Sequence, residues 1–239
     1  MKKALVTGGS GLIGSAICEA LASEGLHVLV HANQNLDRAR QVVEKIRSAG
    51  QSAETACFDV SDRKATSHHL ENILESGPVQ VLVNNAGIYD DATMAGMLPE
   101  QWDSVIQITL NGFFNVTHPL LLPMIRSRWG RIISISSITG VAGNRGQTNY
   151  AAAKSGLHGA SKSLSKEVAS RGITVNVVAP GIIQSSSTDE HFSDTDVKNI
   201  IPMKRRGTPQ EIADAVVFLG SKKASYISGQ ILNVNGGMC

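Results

Sequence analysis

Two ionisable side chains stand four positions apart in the segment Asn-Tyr-Ala-Ala-Ala-Lys-Ser-Gly, at Tyr150 and Lys154. The three alanines between them favour a helix. Residues i and i+4 of a helix lie one above the other, so the two side chains are expected to point the same way, about one turn apart. Such a pair also arises on ordinary surface helices, and the spacing alone leaves a chemical and an incidental role open.

A glycine-rich segment, Val-Thr-Gly-Gly-Ser-Gly-Leu-Ile-Gly, lies between the first apolar run and the first helical pattern. The unpaired N–H groups and the dipole of a helix N-terminus favour a pyrophosphate. Tight turns need glycine anyway, but a glycine turn at the first strand-to-helix junction predicts a dinucleotide site. The expected contacts are Gly8, Ser10, Gly11, Leu12, Ile13 and Gly14.

Apolar runs alternate with helical patterns along the whole chain. The runs are nearly continuous in Val, Ile and Leu, as expected for strands covered on both faces. Strands are predicted at 4–7, 27–31, 52–58, 79–83, 131–136, 174–178 and 230–234, and helices at 13–24, 36–49, 64–75, 101–126, 150–171 and 209–219. The alternation predicts an α/β fold, a single Rossmann-type domain over 1–239 with a doubly wound, seven-stranded parallel sheet.

The end of the second predicted strand indicates which dinucleotide is bound. NAD sites usually place an acidic residue there to bond the ribose hydroxyls, but the first acid here is Asp37. His31 and Asn33 stand instead at the positions that are expected to contact the ribose, and Arg38 and Arg40 follow. Without a carboxylate to repel a 2′-phosphate, the segment favours NADP.

Composition narrows the class of protein. The chain has 239 residues, 42% of them hydrophobic, and a formal net charge of +2 with mixed signs, which argues against a nucleic-acid binder. Cys18, Cys57 and Cys239 are odd in number and widely spaced, which favours reduced thiols over a disulfide framework or a zinc site. The first apolar run is too short for a membrane span. We expect a cytoplasmic protein with no bound metal, membrane or nucleic acid.

Further motifs carry a family resemblance. Asn-Asn-Ala-Gly follows the fourth predicted strand, Ser-Ile-Ser-Ser ends the fifth, and Ala-Pro-Gly follows the sixth. With the glycine turn and the Tyr-x-x-x-Lys pair, the chain resembles the short-chain dehydrogenase/reductases over essentially its full length. Four stretches, among them Gly-Asn-Arg-Gly-Gln-Thr-Asn-Tyr-Ala-Ala-Ala-Lys and the terminal Asn-Val-Asn-Gly-Gly-Met, are similar to the 3-oxoacyl-acyl-carrier-protein reductases of that family.

The resemblance gives the Tyr150 and Lys154 pair a role. It implies that Tyr150 donates a proton to a substrate carbonyl and that Ser137 bonds the same oxygen. A free tyrosine titrates near pH ~10. An ammonium about 4 Å away would contribute on the order of 4 kcal/mol, about three pKa units at most. Lys154 is therefore expected to lower the pKa of Tyr150 and, by resemblance, to bond the nicotinamide ribose.

The remaining cofactor contacts carry over by motif. The resemblance assigns an acidic and hydrophobic pair to the adenine, the residues after the fourth strand to the path of the cofactor, and the turn after the sixth strand to the carboxamide. These residues are Asp59, Val60, Asn85, Ala86, Gly87, Pro180, Gly181 and Ile183.

Two segments depart from the family pattern. Leu12 stands where the middle glycine is usual, and Gly11 stands where many NADPH-dependent members have an arginine. Thr109 stands where the family has the asparagine of its proton relay, and Asn111 lies about 200° further around the helix. We therefore expect Thr109 to serve in a weakened relay, and a dinucleotide-binding protein without catalysis remains an alternative.

The resemblance implies NADPH-dependent reduction of 3-oxoacyl thioesters on acyl carrier protein, in fatty-acid or polyketide-like synthesis. The enzymatic alternative is a reductase or dehydrogenase of a small ketone, alcohol or sugar. A homotetramer is expected, with carrier protein docking at Arg128 and Arg171. The segment 185–201 is expected to cover the substrate as a lid, with Phe192 and Ile200 against the acyl chain.

Overall fold

In a computed structural model, which describes residues 1–185, 188 and 193–239, the chain forms one seven-stranded parallel sheet. The strand order is β3-β2-β1-β4-β5-β6-β7. The strands are β1 Lys3–Val6, β2 His27–Ala32, β3 Ala53–Cys57, β4 Val79–Asn84, β5 Gly130–Ile135, β6 Ile173–Pro180 and β7 Ile231–Val234. The predicted fold class is confirmed, with strand ends shifted by a residue or two.

Helices cover both faces of this sheet. The described α-helices are α1 Leu12–Ser23, α2 Leu36–Ser48, α3 Arg63–Glu75, α4 Pro99–Ile106, α5 Gly112–Ser127, α6 Thr139–Ala142, α7 Thr148–Val168, α8 Asp194–Ile200 and α9 Pro209–Gly220. The helix predicted at 101–126 is interrupted, because a π turn at Gln107–Asn111 separates α4 from α5. Single π turns inside α-helices are frequently found at functional sites, and this one contains Thr109.

The core lies in two layers, one on each face of the sheet. Alternate residues of a strand point to opposite faces, so Ala4 and Val6 pack with α1 and α9 while Leu5 packs with α5. Both layers are apolar, which explains why the strand sequences read as continuous hydrophobic runs. Between residues 1 and 239, the described helices include none long and apolar enough to cross a membrane.

The order of the strands creates a crevice. The chain builds outward from β1 in one direction to β3 and then in the other from β4 to β7. At the carboxyl ends of β1 and β4 the connections therefore leave in opposite directions, and in open α/β sheets ligands bind in the crevice that this leaves. The residues that follow β1, β4, β5 and β6 are thereby brought to one edge of the molecule.

Candidate active site

A cleft of about 890 Å³ opens at this edge of the sheet. Most of the predicted site residues line it, although they come from five separate parts of the sequence. Those in the cleft are Gly8, Ser10, Gly11, Leu12, Ile13, Gly14, Asn85, Ala86, Gly87, Ser137, Tyr150, Lys154, Pro180, Gly181 and Ile183.

The glycine turn forms one end of the cleft and needs its glycines for two different reasons. Gly8 has φ +62°, in the left-handed region that favours glycine. At Gly14 the backbone approaches Gly8 so closely that a Cβ would overlap the Gly8 carbonyl. That carbonyl accepts the N–H of Gly11 at 3.1 Å, and α1 begins at Leu12, which is 50% exposed. The departure at Leu12 therefore leaves the turn intact.

Hydrogen bonds connect the glycine turn to the end of β4. The Thr7 hydroxyl accepts the N–H groups of Asn85 and Ala86, both at 2.9 Å. The Asn85 side chain donates to the carbonyls of Thr7 and Gly8, at 2.9 and 3.1 Å. These bonds fix the two strand ends that flank the crevice, so the floor of the cleft is preorganised.

His31 does not face the cleft, which corrects the expectation that it contacts the cofactor ribose. Its side chain is buried at 2% exposure, and both ring nitrogens bond within the protein, Nδ1 with Gly8 N and Nε2 with Phe58 O. Burial lowers its pKa to about 4, partly opposed by the bond to Phe58 and the charge of Asp59. The exposed Asn33, two residues later, is left as the predicted ribose contact at the end of β2.

Ser137 and Tyr150 meet at the middle of the cleft. Ser137 follows β5, and Tyr150 lies in the first turn of α7 with its hydroxyl near the Ser137 side chain. The Ser137 oxygen also accepts the N–H of Thr139 at 3.1 Å. Burial raises the pKa of Tyr150, the nearby Ser137 hydroxyl lowers it by less, and the nearby Asp91 raises the pKa further. Two hydroxyls thus converge where one carbonyl oxygen could be bound.

Lys154 lies on the same helix face as Tyr150, as predicted, but its ammonium is not hydrogen-bonded to the phenol. Its Nζ is 5.5 Å from the Tyr150 ring centroid and donates to the carbonyl of Ile135 at 2.8 Å. The side chain is 4% exposed, and burial lowers the pKa of Lys154 to about 8. The helix spacing brought the two residues to one face, but the ammonium bonds the end of β5 and not the phenol.

Thr109 lies beneath the cleft in the π turn. It is 3% exposed, and its hydroxyl has no hydrogen-bond partner among the residues that the structure describes. A Cβ built on Gly87 would lie 3.2 Å from Lys154 Nζ and 3.5 Å from Thr109 Oγ1, so both polar atoms lie against the same glycine. Thr109 also lines a small cavity of about 10 Å³. Asn111 bonds Gln107 at 2.6 Å instead.

Asn149 is a supporting residue that the sequence analysis did not single out. Its side chain is fully buried and donates to the carbonyls of Asp90 and Gln101, at 2.9 and 3.0 Å. Its oxygen accepts the N–H of Tyr150 at 2.8 Å. The start of α7 is thereby connected to the segment after β4. A polar residue directly before Tyr150 was the only signal for this role in the sequence.

The adenine-side residues lie outside this cleft. Asp59 Oδ1 accepts the N–H and hydroxyl of Ser61, at 2.8 and 2.7 Å, in a local turn after β3. Val60 is 5% exposed, and it lines the small cavity beside Thr109. Of the predicted lid, Phe192 lies outside the described residues, whereas Ile200 is 43% exposed and lines the cleft.

Comparison with known proteins agrees with this geometry. The sequence model of the short chain dehydrogenase family matches residues 2–196. The chain belongs to that family. A 3-oxoacyl-[acyl-carrier-protein] reductase of Salmonella typhimurium is 45% identical over 241 residues, 99% of this chain and 97% of that protein. A reductase of the same name from Aggregatibacter actinomycetemcomitans is 43% identical over 237 residues, 98% of each chain.

The curated relatives do not all share one name. Nodulation protein G of Azospirillum brasilense is 43% identical over 240 residues, 99% of this chain and 98% of that protein. The family relationship implies a nicotinamide dinucleotide as cofactor, and the residues of the cleft fit one. Their glycine turn leads into the N-terminus of α1, which is where a pyrophosphate would bind. Gly14 has no side chain at the point where the backbone of α1 comes close to the Gly8 carbonyl.

Arg128 and Arg171 lie at the opposite end of the sheet from the cleft. Arg128 ends α5 just before β5, and its guanidinium donates to the carbonyl of Ser170 at 3.1 Å. Strand β5 then runs six residues, about 20 Å at 3.3 Å per residue, before Ser137. The expectation that these arginines lie near the mouth of the site is therefore wrong within one chain. An exposed cation that does lie at the mouth is Arg145, between the cleft residues Asn144 and Gln147.

The buried ammonium of Lys154 should cost the protein stability. Because its pKa is about 8 in the folded protein and 10.5 in the unfolded chain, the folded state releases its proton first and wild-type stability should rise from pH 8 to 10. We expect Lys154→Met to remove this rise, worth about 3 kcal/mol at most. Urea unfolding from pH 7 to 10 measures it, with the exposed Lys162→Met of the same helix as control. Parallel curves for wild type and Lys154→Met would contradict the prediction.

Proposed function

We propose that the protein is an NADPH-dependent reductase of 3-oxoacyl thioesters carried on acyl carrier protein. The observation that carries this proposal is the pair of neighbouring hydroxyls, Ser137 and Tyr150, in a cleft that begins at a glycine turn. Relatives that share the whole chain at 43 to 45% identity are named as reductases of that substrate. An intact catalytic set argues against a protein that only binds the dinucleotide.

In this mechanism the substrate carbonyl oxygen lies between the two hydroxyls. The Ser137 hydroxyl donates a hydrogen bond to it, and Tyr150 donates a hydrogen bond and then its proton as negative charge develops on the oxygen. When bound, the dinucleotide supplies the hydride. Because burial raises the pKa of Tyr150, the phenol stays protonated until the oxygen becomes basic enough to take its proton.

Lys154 and Thr109 are proposed to restore the proton to Tyr150. The pKa of Lys154, about 8, is close to neutrality, where a group exchanges protons most effectively. The unpartnered hydroxyl of Thr109 and the small cavity beside it, about 10 Å³ in extent, suit one bound water. Thr109 would hold this water as the family asparagine does, with one hydroxyl in place of an amide.

NADPH is proposed over NADH on the charges at the end of β2. The α2 N-terminus is capped by Asn35, whose side chain accepts the N–H of Arg38 at 3.2 Å. Arg40 forms an ion pair with Asp37 at 3.2 Å, whereas Arg38 is exposed and forms no ion pair with the part of the chain that is described. Arg38 is therefore the cation available to a 2′-phosphate beside Asn33.

Carrier docking at Arg128 and Arg171 requires a second subunit. Helix α7 has 21 residues, about 30 Å at 1.5 Å per residue, so Arg171 at its far end lies well away from Tyr150. We propose that the two arginines of one subunit dock an acidic carrier protein that serves the site of a neighbour in a homotetramer. Arg145 is the alternative, because it lies beside the mouth of its own site.

The cofactor proposal predicts different roles for two neighbouring arginines. We expect Arg38→Ala to weaken NADPH binding about tenfold and leave NADH binding within about twofold, because only NADPH has the 2′-phosphate. Arg40→Ala is the matched control and should change neither. Titration of protein fluorescence with each dinucleotide measures the affinities. Equal weakening for both dinucleotides, or equal wild-type affinities, would refute the choice of NADPH.

The docking proposal predicts a loss that depends on the carrier. We expect Arg128→Glu combined with Arg171→Glu to raise KM for a carrier-bound 3-oxoacyl thioester, more strongly at low salt, and to spare a short thioester without carrier. Arg145→Glu should have the smaller effect. A monomer by light scattering, or a larger effect of Arg145→Glu, would refute docking across subunits.

The reaction itself is tested by substrate comparison. We expect oxidation of NADPH with a carrier-bound 3-oxoacyl thioester at a kcat/KM at least about tenfold above that of a panel of small ketones. Tyr150→Phe should abolish turnover and leave NADPH affinity nearly unchanged, because the change removes only the proton donor. Faster turnover of a small ketone would favour the alternative substrate class, and more than a few per cent residual activity in Tyr150→Phe would exclude its role as the acid.

A further inference from the structure

The side chain of His31 connects three segments that are far apart in sequence. Its Nδ1 lies 3.0 Å from the backbone nitrogen of Gly8, in the glycine turn, and its Nε2 lies 2.8 Å from the carbonyl oxygen of Phe58, at the end of β3. The imidazole also packs against the Phe58 ring, with centroids 4.2 Å apart. With 2% of the residue exposed, the side chain is held inside the protein and both of its nitrogens are bonded there.

The two backbone partners allow one protonation state. The Gly8 N–H can only donate and the Phe58 carbonyl can only accept. Nδ1 must therefore carry no hydrogen and Nε2 must carry one, which defines a neutral ring in a single tautomer. A protonated ring would set the Nδ1 hydrogen against the Gly8 hydrogen. Burial favours the same state, since it lowers the pKa of His31 to about 4. The bond to Phe58 O and the charge of Asp59 oppose this shift in the pKa, and the nearby His69 adds to it.

Gly8 is thereby bonded at both of its backbone groups. Its carbonyl accepts from Gly11 N and Asn85 Nδ2, each at 3.1 Å, and its N–H donates to His31. Because Gly8 has φ +62° and no side chain, its backbone can take many other conformations when its bonds are absent. The orientation of the following N–H groups, up to the start of α1 at Leu12, depends on it.

We propose that His31 is a positioning residue of the dinucleotide site, whose neutral imidazole orients the glycine turn for the pyrophosphate. The inference rests on the proposed function, because it takes the turn to bind a dinucleotide. It gives His31 an indirect role in cofactor affinity. A merely structural role would predict that loss of the side chain lowers stability and leaves affinity unchanged.

The test compares three substitutions that keep different parts of the imidazole. The oxygen of His31→Asn lies near the position of Nδ1 and still accepts from Gly8, the amide of His31→Gln reaches toward Phe58, and His31→Phe keeps only the ring packing. We expect the dissociation constant of NADPH to rise about tenfold in the Gln and Phe variants and at most about threefold in Asn. Turnover at saturating NADPH should fall less than affinity.

His27→Phe is the matched control. His27 begins the same strand and is also bonded through both nitrogens, to Ser52 Oγ at 2.7 Å and to Glu54 at 3.2 Å, but at the end of the sheet away from the turn. Its substitution should leave NADPH affinity unchanged. An equal loss in the control, or an Asn variant no better than Phe, would overturn the inference.

A measurement on the wild-type protein tests the protonation state that the inference requires, even if the variants do not fold. Nitrogen-15 NMR of the imidazole should report a neutral ring protonated at Nε2, both with and without NADPH, and the opposite tautomer would overturn the inference. Failure of the wild type to bind any dinucleotide would overturn the proposed function as well. Wild-type binding with equal affinity in every His31 variant would overturn the inference alone.

Discussion

The parallel direction of all seven strands is the constraint on which this site depends. Because the strands run the same way, every carboxyl end lies at one edge, and the reversal of strand order between β1 and β4 opens a crevice there. The glycine turn, the segment after β4 and Ser137 after β5 therefore meet without being near in sequence. The bonds from Thr7 and Asn85 then fix the two sides of the crevice at hydrogen-bond distance.

Several polar groups beneath the cleft are buried at a cost in stability. Lys154 is 4% exposed with a depressed pKa, and the hydroxyl of Thr109 has no partner among the described residues. An ion or an unpaired hydroxyl in an apolar interior lowers the stability of the fold. Such groups are kept where function requires them. Both groups lie against Gly87, which lines the cleft. The proposed proton path gives a reason for polar atoms at a position that apolar packing would stabilise.

The same sheet separates two surfaces. Chemistry is confined to the carboxyl edge, whereas Arg128 and Arg171 lie where β5 and β6 begin. A carrier protein docked at these arginines could deliver its thioester to the cleft in one of two ways. Either a long link joins the carrier to the reacting group, or the cleft of a second subunit lies near the arginines of the first. Assembly is thereby part of the proposed function.

The sequence by itself determined the fold class, the position of the cleft and about half of the residues that line it. Continuous apolar runs specify strands covered on both faces. Glycine is needed at position 8 for its positive φ and at position 14 for the close approach to Gly8, and the glycine spacing is visible in the sequence. What only the tertiary structure decided is where individual polar side chains point. His31 bonds Gly8 and Phe58 rather than a ribose, Lys154 bonds Ile135 rather than Tyr150, and Asn149 connects α7 to the segment after β4. In each case the partner lies between 19 and 59 positions away, and hydrophobic periodicity reports only which face of an element is buried. The partner of a buried polar group is set by the packing of separate elements, which neither spacing nor composition records.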